Sequence, residues 1–122
     1  MGALACAGAT DVSFSAPQAE RGHQLFVARC ALCHGAQLEG VSAPSLLADA
    51  APAPDAPKIG EVYDTILHRM PKTNPGSLSE TDSAALVAFL LSSNGFPSGP
   101  NALLPKAAAA SLTPFVRRSA AP

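Results

Sequence analysis

The sequence predicts an all-α fold of three to four helices, and three observations carry that expectation. Apolar residues recur at intervals of three and four through residues 17–31, 58–69 and 79–94, the spacing that lines one face of a helix. No stretch reads convincingly as a strand. With 122 residues, five Phe, one Tyr and no Trp, the chain makes one domain with a thin set of large core side chains. A flat apolar group buried among the helices would supply the missing bulk.

The run Cys30-Ala31-Leu32-Cys33-His34-Gly35 points to that group. A Cys-x-x-Cys-His run is the attachment signature of c-type haem: two thiols add across porphyrin vinyl groups as thioethers, and the adjoining histidine reaches the iron as an axial ligand. The fold expected is thus helices wrapped around one covalently attached haem, with Cys30 and Cys33 as the attachment points and His34 on the iron. Three other readings use the same residues. A zinc site would need a second closely spaced Cys or His pair, whereas Cys6, His23 and His68 are scattered. A thioredoxin-like pair would need a preceding strand and a βαβ context. A structural disulfide between Cys30 and Cys33 would leave His34 without a role.

Taken in order, residues 1–16 read as a flexible leader remnant. Ala3-Leu4-Ala5 fits a small-residue cleavage site, but the basic and apolar regions of a signal peptide do not precede it. Cys6 is either a lipid-anchor cysteine or an unpaired cysteine in a mobile leader. The domain is expected over residues 17–96. Pro17 suits the opening of a first helix that carries Gly22, Leu25, Phe26, Arg29 and Cys30 on one face, placing the two cysteines at its exit. Gly22 costs about 1 kcal/mol in a helix relative to Ala, which implies a neighbour that needs the space; His23 is expected to face solvent. Gly35 to Gly40 is a turn-rich connector, and Asp49 to Pro57, with three prolines, a surface loop. From Lys58 a second helix carries Ile59, Val62, Tyr63, Ile66 and Leu67 until Pro71 stops it. The residue before a proline is pushed out of the α region, so Met70 should leave the helix extended. Lys72 to Leu78 form a loop turning at Pro75-Gly76. Ser79 caps a last helix with Asp82 three residues on; its apolar face is Ala85, Leu86, Phe89 and Leu90, and Asn94-Gly95 ends it. The Pro/Ala-rich tail, 97–122, either wraps the domain or stays mobile, with Phe115-Val116-Arg117-Arg118 able to pin it or touch a partner.

The segments Gln18-Ala19-Glu20-Arg21-Gly22-His23-Gln24-Leu25-Phe26, Cys30-Ala31-Leu32-Cys33-His34-Gly35, Ala43-Pro44-Ser45-Leu46 and Met70-Pro71 together resemble a bacterial class I monohaem cytochrome c. The similarity runs from about Pro17 to Gly95. The stretches Pro75 to Ser79 and Leu90 to Pro97 are more loosely similar to small periplasmic cytochromes that partner quinoprotein or other dehydrogenases. The resemblance implies a cytochrome c-like fold holding one haem c. It implies that the Pro44 carbonyl accepts from the free ring nitrogen of His34, that Leu46 or Leu47 packs on the haem, and that Met70 is the second axial ligand. A thioether there raises the reduction potential. His68, two residues earlier, is the competing ligand for a bis-histidine site. Tyr63 and the Lys72-Thr73-Asn74 rim are candidate donors to the haem propionates. The first and last helices are expected to cross at Gly22, against Phe89 or Leu90.

Nine acidic against eight basic residues argue against nucleic acid or an anionic membrane as an electrostatic partner, and no stretch is long and apolar enough to span a bilayer. No Ser/His/Asp set, paired carboxylates or phosphate-binding glycine loop is present. With both axial positions filled, the iron would have no open place for substrate, and the chemistry expected is a one-electron couple. The expected protein is an electron carrier between a dehydrogenase donor and an oxidase or cytochrome acceptor, docking through a small face near Ala31, Leu32 and Ala36 together with the Met70-Pro71 side. The resemblance implies that such attachment follows export, which places the protein in the periplasm or at an outward-facing membrane surface. Two other readings stay open: a cytochrome subunit of a larger oxidoreductase, or, with Met70 unbound, a haem sensor or peroxidase-like protein.

Overall fold

The computed structural model describes residues 12–35, 37–41, 46–47 and 56–117. They form five helical segments: α1 (Ala16–Arg29), α2 (Ala31–His34), α3 (Ile59–Arg69), α4 (Glu80–Ser93) and α5 (Pro105–Ala110). Among the described residues the sole extended pairing is an isolated bridge between Lys58 and Pro114.

The three longer helices start where partners for the orphan N–H groups of a first turn are at hand, whereas α2 and α5 have no side-chain cap. Ser15 caps α1, its hydroxyl accepting from the Gln18 N–H at 3.3 Å, with Pro17 inside the first turn. Ser79 caps α4 by accepting from the Asp82 N–H at 3.0 Å. At α3 the Glu61 carboxylate accepts from the Lys58 N–H at 2.7 Å. The next two donors of α3 go elsewhere: Ile59 and Gly60 donate to the carbonyls of Thr113 and Ser111, at 2.9 and 3.0 Å. The C-terminal chain thus caps a helix some fifty residues upstream, a pairing that no local pattern announces.

The apolar stripe of α3 is as expected, with Ile59, Tyr63 and Ile66 buried and Val62 and Leu67 packed at the margin of the core. On α1, Gly22, Leu25 and Phe26 are buried, but Arg29 is exposed. The expected single face of α4 is a correction: Ser83 to Ala88, Leu90 and Leu91 are all buried. A helix apolar all round belongs inside, and α4 is the centre of the domain, meeting α1, α3 and α5. Its principal crossing is with α1. At Gly22 a Cβ would stand 2.9 Å from the Phe89 Cβ and closer still to the Ala85 carbonyl. The crossing therefore falls on Phe89, one of the two residues expected, and extends one turn back to Ala85.

α4 ends in a Schellman motif. Phe96 N–H reaches the Leu91 carbonyl at 2.9 Å and Gly95 N–H the Ser92 carbonyl at 3.2 Å, with Gly95 at φ +90°. The Asn94 side chain, fully buried, donates from Nδ2 to the carbonyls of Leu90 at 2.9 Å and Leu46 at 3.3 Å. It ties the end of the central helix to the loop that follows the cysteine motif. Asn94→Ala is expected to cost about 2 kcal/mol, read as a lower urea midpoint at unchanged slope.

The tail wraps. Gln18 holds Leu103 with a reciprocal pair, Nε2 to the Leu103 carbonyl at 2.9 Å and the Leu103 N–H to Oε1 at 2.7 Å, while Phe115 N–H bonds the Pro57 carbonyl at 2.8 Å. Leu103, Ala108 and Phe115 are buried, as is Phe14 ahead of α1. The core thus takes in residues before 17 and beyond 96. Cys6, Pro44 and most of the 49–57 loop lie outside the described residues.

Candidate functional site

Cys30 ends α1 and begins α2. Its φ of −127° and ψ of −30° break the first helix, its N–H still closing on the Phe26 carbonyl at 2.8 Å. Its carbonyl then starts the next turn, accepting from Cys33 N–H at 3.2 Å and His34 N–H at 3.0 Å. Both cysteines and the histidine therefore lie on one short turn, with Cys30 and Cys33 half-buried free thiols and His34 buried.

The connector holds that turn from behind. Gly35 has φ +86°, a conformation that side-chain-bearing residues rarely adopt, and it lets the chain reverse. Gly40 N–H then reaches the His34 carbonyl at 2.6 Å and Val41 N–H the Cys33 carbonyl at 2.9 Å. Leu38, at φ +67°, is buried, and its carbonyl accepts from Leu46 N–H at 2.9 Å. Half-buried Leu46 packs against the core while Leu47 is exposed. The side chain of Leu32, and Ala36, lie outside the described residues.

Met70 caps the C-terminus of α3 with φ −117° and ψ 155°, extended as the following proline requires, and is half-buried. His68 is exposed, 3.4 Å from the Asp64 carboxylate on its own helix. His23 is exposed as expected, yet its ring stacks on Phe89 with centroids 4.9 Å apart. Tyr63 is buried on the inner face of α3, whereas Lys72, Thr73 and Asn74 are exposed.

Sequence reasoning missed the contact that joins the loop after Met70 to the end of α1. Arg29, placed on the apolar face from its spacing, turns outward and donates to the Ser77 hydroxyl at 2.7 Å. The loop after Met70 thereby meets the residue before Cys30. Spacing alone could not show this, because an arginine near a helix end is by default solvated.

The electrostatics bear on the chemistry. Burial pushes the Cys30 thiol up, with Arg29 opposing and Cys33 adding to the rise. Among the described residues no group of three or more His, Cys, Asp or Glu is arranged to hold a metal ion directly. Two thiols and a buried imidazole on one turn, without convergence on a point, fit a macrocycle bridged at its edge and ligated over its face. Burial also pushes the Tyr63 hydroxyl up from 10.0, and Glu80 adds to this. Folding then favours the neutral phenol, so the stability is present below the unfolded value and lost as pH rises through the folded one. Tyr63→Phe is expected to flatten that alkaline loss above about pH 10, measured by urea midpoints across that range; as Tyr63 is the one tyrosine in the chain, no other phenol contributes.

Residues 17–90 match the family model described as cytochrome C oxidase, cbb3-type, subunit III. Among solved structures, the sulfane dehydrogenase SoxCD from Paracoccus pantotrophus contains a chain 30% identical to this one, with a TM-score of 0.58, over 83% of this chain and 54% of that one. The present chain thus spans about half the length of that relative. No curated protein matches it. Among the described residues no helix is long and apolar enough to cross a membrane. With a match over more than half its length, an all-α fold and the Cys-x-x-Cys-His turn, the chain belongs to this family as a bacterial class I c-type cytochrome domain, whose work is electron transfer and whose implied cofactor is covalently bound haem c.

Proposed function

We propose that the protein is a one-electron carrier in which Cys30 and Cys33 hold a single haem c by thioether bonds, and His34 and Met70 fill the two axial positions. Placement of both cysteines and a buried His34 on one turn, at the exit of α1, is the observation that carries this reading. When bound, the haem supplies an Fe(II)/Fe(III) couple. The protein's residues provide the rest. The Gly40 and Val41 N–H groups fix the carbonyls of the attachment turn, so His34 is presented from a rigid backbone. Met70 projects from an extended residue at the C-terminal cap of α3. Pro44 is assigned the acceptor of the His34 ring N–H, which would orient the imidazole, and Leu46 and Tyr63 border the cofactor.

The partners proposed are a periplasmic redox enzyme as donor and a respiratory oxidase or cytochrome as acceptor. Val41, 71% exposed and hydrogen-bonded to Cys33 through its backbone, gives the attachment turn an apolar rim of the small kind that transient redox complexes use. Expression in a host competent in cytochrome maturation tests the proposal. The expected product is red, heavier by one haem, and keeps its absorbance after denaturation; a colourless chain of unmodified mass would end it.

The similarity to a SoxCD chain favours a second reading, in which the domain is the cytochrome part of a larger oxidoreductase. Purification from its own cells separates the two: a shuttle elutes as a free cytochrome, a subunit with an enzyme whose substrate reduces its haem.

A further inference from the structure

We propose that Arg29 is a positioning residue for the loop that carries Met70, its guanidinium holding Ser77 and so keeping that loop closed against the attachment turn. The proposal rests on the reading of Met70 as an axial ligand.

The loop has little else to hold it. Pro71 and Leu78 are buried, but residues 72–77 between them are exposed. Their backbone is stitched within itself, Asn74 N–H to the Pro71 carbonyl at 2.8 Å and Ser77 N–H to the Asn74 carbonyl at 3.3 Å. Gly76, at φ +76°, makes the turn. Exposed segments with few apolar contacts open at low free energy. Against that, the Arg29 to Ser77 bond of 2.7 Å is short and has a charged donor, the stronger class of hydrogen bond. Its anchor is good. Arg29 is the last residue of α1, a helix fixed to α4 by the Gly22 crossing, so the guanidinium reaches the loop from a packed helix 48 residues away in sequence.

A loop-borne ligand yields its place to a competitor only when the loop opens, so the competitor's apparent affinity reports the open population. The experiment uses ferric holo-protein and imidazole as the competitor, followed by visible absorbance. Arg29→Ala and Ser77→Ala are each expected to bind imidazole about two- to fivefold more tightly, the scale of one exposed hydrogen bond. The double variant should add nothing to either single one, and Ser77→Thr, which keeps the hydroxyl, should restore the original affinity. Amide exchange at Gly76 and Ser77 should quicken in both Ala variants. Unchanged affinity and exchange in Ser77→Ala would overturn the proposal, and an effect confined to Arg29→Ala would assign it to charge alone. If the parent protein shows no thioether for imidazole to displace, the Met70 reading falls instead, and amide exchange still decides whether the clamp exists.

Discussion

Replacing Met70 with alanine is expected to leave the haem attached and to open the iron. The ferric spectrum should become high-spin, and the ferrous protein should bind carbon monoxide without denaturation, where the parent binds none. The reduction potential should fall, because a thioether favours the reduced iron and axial ligands command a range of roughly 0.8 V. Attachment should survive, since Cys30, Cys33 and His34 sit on a turn built from α1 and the 35–41 connector, apart from α3. An unchanged low-spin spectrum would hand the second axial position to another side chain. His68 is poorly placed for that role, being exposed beside Asp64.

The second large effect is expected at Gly22. In an exposed helix, Gly→Ala stabilises by about 1 kcal/mol. Here the sign should reverse, because the new Cβ meets the backbone of α4 at Ala85, and backbone cannot rotate aside. Overpacking of this kind costs about 1–3 kcal/mol for a small increment, so Gly22→Ala should lower the thermal midpoint. Gly22→Leu must part the two helices and consume much of the roughly 5–15 kcal/mol that holds a domain together; it should abolish stable holo-protein. A stabilised Gly22→Ala would show that the crossing is looser than the structure has it. The Arg21 to Asp82 pair beside the crossing, 3.7 Å apart and substantially exposed, is too well solvated to compensate.

Much of the site is legible locally because its logic is local. The Cys-x-x-Cys-His spacing needs only one turn of chain, the extension of Met70 follows from steric conflict with Pro71, and the caps at Ser79 and Asn94-Gly95 act within three or four residues. The error on α4 has a matching cause: Ala84, Val87, Ala88 and Leu91 are apolar like the face that was read, and whether they are covered depends on how many helices surround them. Arg29 was misread because periodicity ranks positions, whereas a guanidinium goes where it finds an acceptor.

By itself, then, the sequence determined the all-α class, the turn that joins two thiols to an imidazole, and the point at which Met70 leaves its helix, since each is set by steric and covalent rules acting over a few residues. The tertiary structure alone decided the rest. It made α4 the axis of the domain, brought Ser111 and Thr113 back to cap α3, closed Leu46 onto Asn94, and set Ser77 against Arg29. These are contacts between segments tens of residues apart, chosen by which packing buries the apolar surface while leaving the backbone donors satisfied.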